Sequence, residues 1–170
     1  MNPTIENKPE GLSLGASVFV PVPAARLYEV LLDVRNFPHW APAVRRVEVL
    51  EGNPGPGMVS EWELSVLGMK RRVLSLLETA DSPGRLRWTY EGPICGWGAC
   101  ALRVRGNGTV ADFSTELRVT EPMLERLLSR LPVRGLATSQ LKRSLAGLGR
   151  MVCGEHEAGR VLVGPQRLAG

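Results

Sequence analysis

Residues 121–152 have the sequence EPMLERLLSRLPVRGLATSQLKRSLAGLGRMV and carry the longest helical periodicity of the chain. Their apolar residues recur in steps of mostly three and four, which places one set on a single helix face: Leu124, Leu127, Leu128, Leu131, Leu136, Leu141, Leu145, Leu148 and Val152. Pro132 interrupts the stretch, so the sequence predicts a short helix to about Leu131 and a longer helix after it. A helix with one apolar stripe needs a broad apolar surface to pack on.

The hundred residues before this stretch provide such a surface, because apolar and polar residues alternate in them as in half-buried strands. Seven segments are predicted as strands: 12–22, 44–50, 58–66, 69–79, 85–91, 95–105 and 109–120. Glycine-rich turns, such as Gly106-Asn107-Gly108, separate them. An amphipathic helix at 24–34 and a short helical knuckle at 35–42 follow the first strand. The predicted architecture is α+β, with a seven-stranded curved antiparallel sheet wrapped around a long C-terminal helix.

The length of 170 residues suits one domain with a sizeable core. We predict a flexible leader at 1–12, a single domain at 13–152 and a flexible tail at 153–170, where periodicity is lost and glycines recur. The N-terminus is polar and lacks the apolar segment of a secretory signal. No run of about eighteen apolar residues occurs, so no transmembrane segment is predicted and the expected location is the cytoplasm.

Charge and ligand types exclude several classes of site. The net charge is +4, but the arginines are spread along the chain, which argues against a nucleic-acid groove. Three cysteines and two histidines form no cluster with metal-ligand spacing, so neither a metal nor another cofactor is expected. The segment Gly96-Trp97-Gly98-Ala99-Cys100-Ala101 has the letters of a dinucleotide fingerprint, but a strand follows it where that fingerprint requires a helix.

Several short motifs resemble those of one superfamily and occur in its order. They are Val20-Pro21-Val22-Pro23-Ala24 before the first helix, the run from Leu31 to Trp40 with its Asp and Phe-Pro-x-Trp knuckle, Asp81-Ser82-Pro83-Gly84-Arg85-Leu86, and Gly106-Asn107-Gly108-Thr109. Over about residues 14–152 the chain resembles the helix-grip superfamily of START-like proteins, polyketide cyclases and birch-pollen-type allergens. The resemblance implies the helix-grip fold, and it leaves function open because this scaffold hosts carriers, cyclases and lipid transporters.

The resemblance also implies a cavity between the sheet and the long helix, and strand alternation nominates its lining. The predicted ligand-binding residues are Trp62, Leu64, Val73, Trp88, Cys100, Leu102, Phe113, Thr115, Leu117, Leu141 and Leu145. An apolar pocket with a few polar groups is the usual form of a small-molecule site. Taken one by one, side chains of these types more often fill a core than line a cavity.

Cyclases of this superfamily use an inward arginine with Ser, Tyr or Trp to hold a polyketide and polarise its carbonyls. Here alternation places Arg71 at the mouth of the inner face, and Tyr90 or Ser75 would relay a proton. These three residues are the candidate catalytic set. The aromatase-type Ser-x-Arg pair is absent, since the run is Lys70-Arg71-Arg72-Val73-Leu74-Ser75.

The leading hypothesis is therefore a protein that binds a hydrophobic or aromatic small molecule. The second is a polyketide cyclase or dehydratase, and the third is a carrier of lipid or quinone that contacts a membrane peripherally through an apolar lid near the knuckle, Phe37 to Pro42. Leu74 and Leu76 are predicted to point outward from the sheet, which leaves both a monomer and a homodimer open.

Overall fold

The computed structural model describes residues 11–81, 84–154 and 161–165. The strands are β1 (Leu12–Val20), β2 (Val44–Glu51), β3 (Val59–Val66), β4 (Met69–Asp81), β5 (Arg85–Glu91), β6 (Ile94–Arg105), β7 (Gly108–Val119) and β8 (Leu162–Pro165). The helices are α1 (Ala24–Leu32), α2 (Phe37–Trp40), α3 (Pro122–Leu128) and α4 (Val133–Cys153), with a 3₁₀ turn at Val34–Asn36 before α2. The α+β helix-grip prediction is confirmed.

The strands form one antiparallel sheet in the order β2-β3-β4-β5-β6-β7-β1-β8. The meander from β2 to β7 follows from short turns, of which Gly106 and Asn107 join β6 to β7. β1 then closes on β7, so the first strand lies beside the last strand of the meander. Alternation gives the sheet an inner face, with Val73 and Leu77 buried, and an outer face, with Leu74 and Leu76 half exposed.

α4 packs against β1 and against α2, and this brings the inner face of the sheet and the long helix together. Leu145 and Leu148 of α4 are fully buried in the core. Gly147 lies where α4 touches α2, and a Cβ on it would come within 2.4 Å of the Trp40 carbonyl oxygen. The knuckle therefore contacts α4 directly, and the missing side chain at Gly147 allows this close approach.

The first half of the predicted apolar stripe is not buried. The expected break at Pro132 is present, but α3, the turn after it and the start of α4 carry half-exposed leucines, namely Leu127, Leu131 and Leu136. Leu124 alone of this half is fully buried. The reason is that α4 contacts the sheet along its later turns, while α3 is held by only part of one face against β7. No helix in the described part of the chain is long and apolar enough to cross a membrane.

The sheet has eight strands, whereas seven were predicted. β8 pairs with β1 and lies in the segment assigned to a flexible tail, so that assignment is wrong for residues 162–165. A strand of four residues is too short to be predicted from alternation. In the folded chain Val161 and Val163 pack against the core. Leu12, placed in the leader, begins β1. The rest of the predicted leader up to residue 10, and residues 155–160 and 166–170 of the predicted tail, lie outside the described residues.

Candidate functional site

An inner cavity of about 220 Å³ lies between the sheet and α4. Its lining is mostly apolar and comes from the knuckle, six strands and α4: Phe37, Trp40, Ala41, Val44, Trp62, Leu64, Val73, Trp88, Tyr90, Ile94, Phe113, Ser114, Thr115, Leu117, Leu141, Ser144 and Leu145. No charged side chain borders this cavity among the residues described. A concave, mostly apolar space with a few hydroxyl and indole groups has the composition of a small-molecule site.

Most of the predicted ligand-binding residues border this cavity, because the strand alternation was assigned in the right register. They are Trp62, Leu64, Val73, Trp88, Phe113, Thr115, Leu117, Leu141 and Leu145, and Tyr90 from the candidate catalytic set lies with them. The register is visible in direct pairs across the sheet, such as Trp62 with Val73 and Gly98 with Thr115. Whether these side chains bind a ligand stays a prediction.

Cys100 and Leu102 were predicted in the same lining but lie elsewhere. Cys100 is buried in the core opposite Phe113, and Leu102 packs against the core as a partly buried side chain. α1 contacts β6, and Cys100 belongs to the same buried core cluster as Leu27 and Leu31 of α1. Burial raises the pKa of the Cys100 thiol, so it remains a protonated, core-filling group.

The knuckle contributes lining residues that strand alternation could not find. The ring centroids of Phe37 and Trp40 are 4.4 Å apart, and Phe37 meets Trp62 edge-on at 4.7 Å. The sequence signal for them was the three-residue spacing of Phe37 and Trp40. It was interpreted as an outer lid, but Trp40 is buried, so the knuckle forms an end wall of the cavity instead.

Polar groups in the lining are mostly paired. The Trp62 indole donates to Ser60 Oγ at 2.8 Å, and the Trp88 indole donates to the Tyr90 hydroxyl. Thr115 Oγ1 donates to a backbone carbonyl at 2.8 Å, and Ser144 Oγ does so at 3.0 Å. The Trp40 indole nitrogen is buried and has no hydrogen-bond partner among the described residues. Burial raises the pKa of Tyr90 to about 12 despite the hydrogen bond from Trp88, so the phenol keeps its proton at neutral pH.

The glycine-rich segment with the letters of a dinucleotide fingerprint has a packing role, which is clearest at Gly98. Gly98 pairs with Trp88 across β5 and β6, and a Cβ at Gly98 would lie 2.6 Å from the Trp88 indole. The glycine thus leaves room for a flat indole against the inner face of β6. The segment serves to shape the cavity wall.

A second space, an outer groove of about 550 Å³, adjoins the inner cavity, and both are lined by Ile94 and Leu117. The β3–β4 hairpin borders it on one side and α3 with the start of α4 borders it on the other. Leu67 at the hairpin tip and Leu136 on α4 are both 49% exposed. The groove is therefore the open end of the sheet–helix space.

Arg71 and Ser75 do not border the inner cavity or the groove. The Arg71 guanidinium binds Glu121 through two hydrogen bonds, with Nε 2.7 Å from Oε2 and Nη2 2.8 Å from Oε1. The hydrogen bond and charge of Glu121 raise the pKa of Arg71. This pair ties β4 to the start of α3, which is a structural contact that the sequence did not reveal. Ser75 is buried beside Tyr90, about 13 Å along the strand from Arg71.

Metal ligation has no candidate in the described residues, where no group of three or more His, Cys, Asp or Glu side chains could hold an ion. Asp112 lies on the outer face, with Arg103 Nε 2.7 Å from its Oδ2. Glu61 and Glu63 also lie outside, paired with Arg72 and Lys70. These acidic side chains therefore form ion pairs on the outer face of the sheet.

Comparisons with known proteins agree with this geometry. A family model described as polyketide cyclase / dehydrase and lipid transport matches residues 12–152. No curated protein matches the sequence significantly.

Solved structures of several proteins superpose on the chain over most of its length. The TTHA0849 protein of Thermus thermophilus is 26% identical, with a TM-score of 0.71, and the match covers 82% of this chain and 96% of that one. A START superfamily protein from Mycobacterium smegmatis is 14% identical, with a TM-score of 0.68 and the same two coverages. The Zhui aromatase/cyclase from Streptomyces sp. R1128 is 20% identical, with a TM-score of 0.62 and coverages of 87% and 93%. The last two likenesses concern the fold alone.

Proposed function

Because the chain belongs to the polyketide cyclase / dehydrase and lipid transport family, we propose that it binds an uncharged, largely apolar small molecule in the inner cavity. The observation that carries the proposal is the lining. Aromatic and aliphatic side chains surround about 220 Å³ with no charged group among the described residues. Burial of apolar ligand surface against such walls supplies the free energy of binding.

The groove extends the site. Ligand pockets usually measure about 300–1,000 Å³, and the inner cavity alone lies below that range. Because Ile94 and Leu117 line both spaces, a longer ligand would occupy the cavity with one end and the groove with the other. Leu117 borders both spaces, so a larger side chain at this position would block the passage between them.

Plugging this junction tests the proposal. We expect Leu117→Trp to abolish binding of the neutral fluorescent probe N-phenyl-1-naphthylamine, because the indole would fill the passage. The melting temperature should change little, since the added side chain enters open space. Val104→Trp is the matched control, because Val104 is exposed on β6. Unchanged probe binding in Leu117→Trp, or equal losses in both variants, would contradict binding in this cavity.

Cyclase chemistry by Arg71 with Tyr90 or Ser75 has weaker support. Only Tyr90 borders the cavity, and the guanidinium of Arg71 is bound to Glu121. Such a mechanism would need Arg71 to exchange Glu121 for a substrate carbonyl. We therefore place binding before catalysis.

Carriage of a lipid or quinone at a membrane surface is the second candidate, and a specific observation favours it. Half-exposed apolar side chains lie at the hairpin tip, on α3, in the turn after it and on α4, and the first and last of them line the groove: Leu67, Met123, Leu127, Leu131 and Leu136. We call these five residues the apolar rim. Residues 122–143 hold five basic side chains, namely Arg126, Arg130, Arg134, Lys142 and Arg143, against the single acidic Glu125. Apolar groups beside positive charges suit an anionic lipid surface.

A further inference from the structure

The inner cavity is bordered by the indole rings of Trp40, Trp62 and Trp88, and they differ in one respect. The N–H groups of Trp62 and Trp88 donate to Ser60 and Tyr90, whereas that of Trp40 donates to no described residue. Trp40 is only 5% exposed. It is the single buried side-chain nitrogen or oxygen without a partner in the described part of the chain.

An unpaired buried N–H is costly. Burying a donor without an acceptor costs about 1–3 kcal/mol, and most buried polar groups in proteins have a partner for this reason. The Trp40 ring also packs near Phe37, an apolar contact that a phenylalanine ring would make as well. The packing role therefore does not explain the indole nitrogen.

Tyr90 offers a second donor to the same cavity. Its oxygen accepts from the Trp88 indole, and its own hydrogen donates to no described residue. A hydroxyl that accepts one hydrogen bond becomes a better donor of the next, because the bonds polarise one another. Burial raises the pKa of Tyr90 to about 12, so this hydrogen is present at neutral pH.

The charge of the lining limits the acceptor. No charged side chain borders the cavity among the described residues, so a carboxylate or phosphate would be buried without a counter-charge. Such burial is strongly unfavourable, whereas a neutral oxygen needs only the hydrogen bonds. Ketone, ester and quinone oxygens meet this requirement.

We propose that the cavity selects a neutral ligand whose buried end carries a carbonyl-type oxygen, which accepts hydrogen bonds from Trp40 and Tyr90. The inference rests on the proposed function and adds the chemical class of the ligand. Trp40 and Tyr90 are then the specificity-determining residues, and the Trp88 indole positions the Tyr90 hydroxyl.

Two probes of nearly equal shape test the proposal: 2-acetylnaphthalene and 2-isopropenylnaphthalene, in which a CH₂ group replaces the carbonyl oxygen. Calorimetric titration of Trp40→Phe should show about tenfold weaker binding of the ketone, the size of one buried hydrogen bond. Binding of the hydrocarbon should stay within about twofold. Tyr90→Phe should behave in the same way. The infrared carbonyl stretch of the bound ketone should move toward its value in an apolar solvent in both variants.

Trp62→Phe is the matched control, because its indole N–H is already bound to Ser60 and its ring also borders the cavity. Trp62→Phe should weaken the binding of both probes by the same factor. If Trp40→Phe and Tyr90→Phe lose the same affinity for both probes and the carbonyl stretch does not shift, the cavity does not select a carbonyl oxygen. That result would leave the proposed function intact. Failure of both probes to bind the wild-type protein would instead overturn the proposed function, and this inference with it. Melting curves of each variant separate loss of binding from loss of folding.

Discussion

At the scale of single residues, Asp112 illustrates how one carboxylate stabilises several strands. It lies on the outer face of β7, accepts a hydrogen bond from Ser17 on β1 and another from Arg103 on β6. Burial alone would raise its pKa, but the hydrogen bonds from Arg103 and Ser17 outweigh burial, and the pKa lies below the usual value. Asp112 therefore joins three adjacent strands at one point, and its place outside the cavity makes its role structural.

Asp112→Asn should lower the free energy of unfolding at neutral pH by about 1 kcal/mol, because the charge-assisted bond to Arg103 is lost. A depressed folded-state pKa means that the carboxylate stabilises the fold above its unfolded pKa of about 3.9, and that this contribution disappears as the pH falls through the lower folded value. The difference in the free energy of unfolding between wild type and variant, measured by urea unfolding, should thus shrink from pH 7 to pH 3. A constant difference would contradict this. Arg103→Met should reproduce the effect.

At the scale of elements, the contact between α2 and α4 sets the position of the long helix. Gly147 on α4 lies against the backbone of Trp40, and the ring of Trp40 packs on Phe37. Arg71 and Glu121 fix the other end by joining β4 to the start of α3. These two contacts add to the packing of α4 on β1, and the open groove lies beside the second of them.

Gly147→Ala should destabilise the protein by roughly 1–3 kcal/mol, the usual cost of an extra methyl group in a packed contact. A Cβ there would lie 2.4 Å from the Trp40 carbonyl oxygen, and backbone yields less readily than a side chain. Gly135→Ala is the matched control on the same helix, because a Cβ there meets nothing within 4 Å. It should stabilise the helix by about 0.5–1 kcal/mol. Thermal unfolding of both variants measures the contrast, and equal shifts of the same sign would disprove the close contact.

At the scale of the whole molecule, the apolar rim and the basic side chains of residues 122–143 belong to the segments that border the groove, namely the β3–β4 hairpin and the stretch from α3 into α4. Leu67 is unusual within the rim, because it has a φ of 52° at the hairpin tip, a conformation that favours glycine or asparagine. A leucine that is both strained and half exposed is poorly explained by folding alone. Insertion of the rim into an anionic bilayer surface would bury these side chains and bring the groove to the lipid.

Flotation with vesicles tests this surface. The protein should bind vesicles of phosphatidylcholine with phosphatidylglycerol, bind pure phosphatidylcholine weakly, and be released by salt. Leu67→Asn should weaken binding while raising the melting temperature, because asparagine relieves the backbone strain. The double variant Arg126→Glu with Arg130→Glu should weaken binding as well, since reversed charges oppose anionic lipid.

Matched controls lie elsewhere on the molecule. Leu74→Ser with Leu76→Ser removes leucines that are 42% and 40% exposed on the outer face, and Arg85→Glu with Arg105→Glu reverses two exposed charges at the opposite end of the strands. Neither pair should alter flotation. Absence of vesicle binding would contradict the membrane surface. Self-association that Leu67→Asn abolishes would identify the rim as an interface between copies of the chain.

The sequence by itself determined the local patterns. Alternation assigned Trp62, Val73 and Trp88 to the inner face, and the break at Pro132 divided the C-terminal helices. These inferences succeed because the period of a strand or helix is a property of neighbouring residues. The resemblance to the helix-grip superfamily added the order of the elements and the existence of a space between sheet and helix.

Only the tertiary structure decided which inward residues meet open space and which meet another element. Cys100 and Trp88 both face inward, but Cys100 belongs to the buried core cluster, whereas Trp88 borders the cavity. The pairing of Arg71 with Glu121, the unpaired indole of Trp40 and the addition of β8 likewise depend on residues far apart in sequence. Periodicity records which way a side chain points, whereas what it contacts is fixed by how distant segments pack.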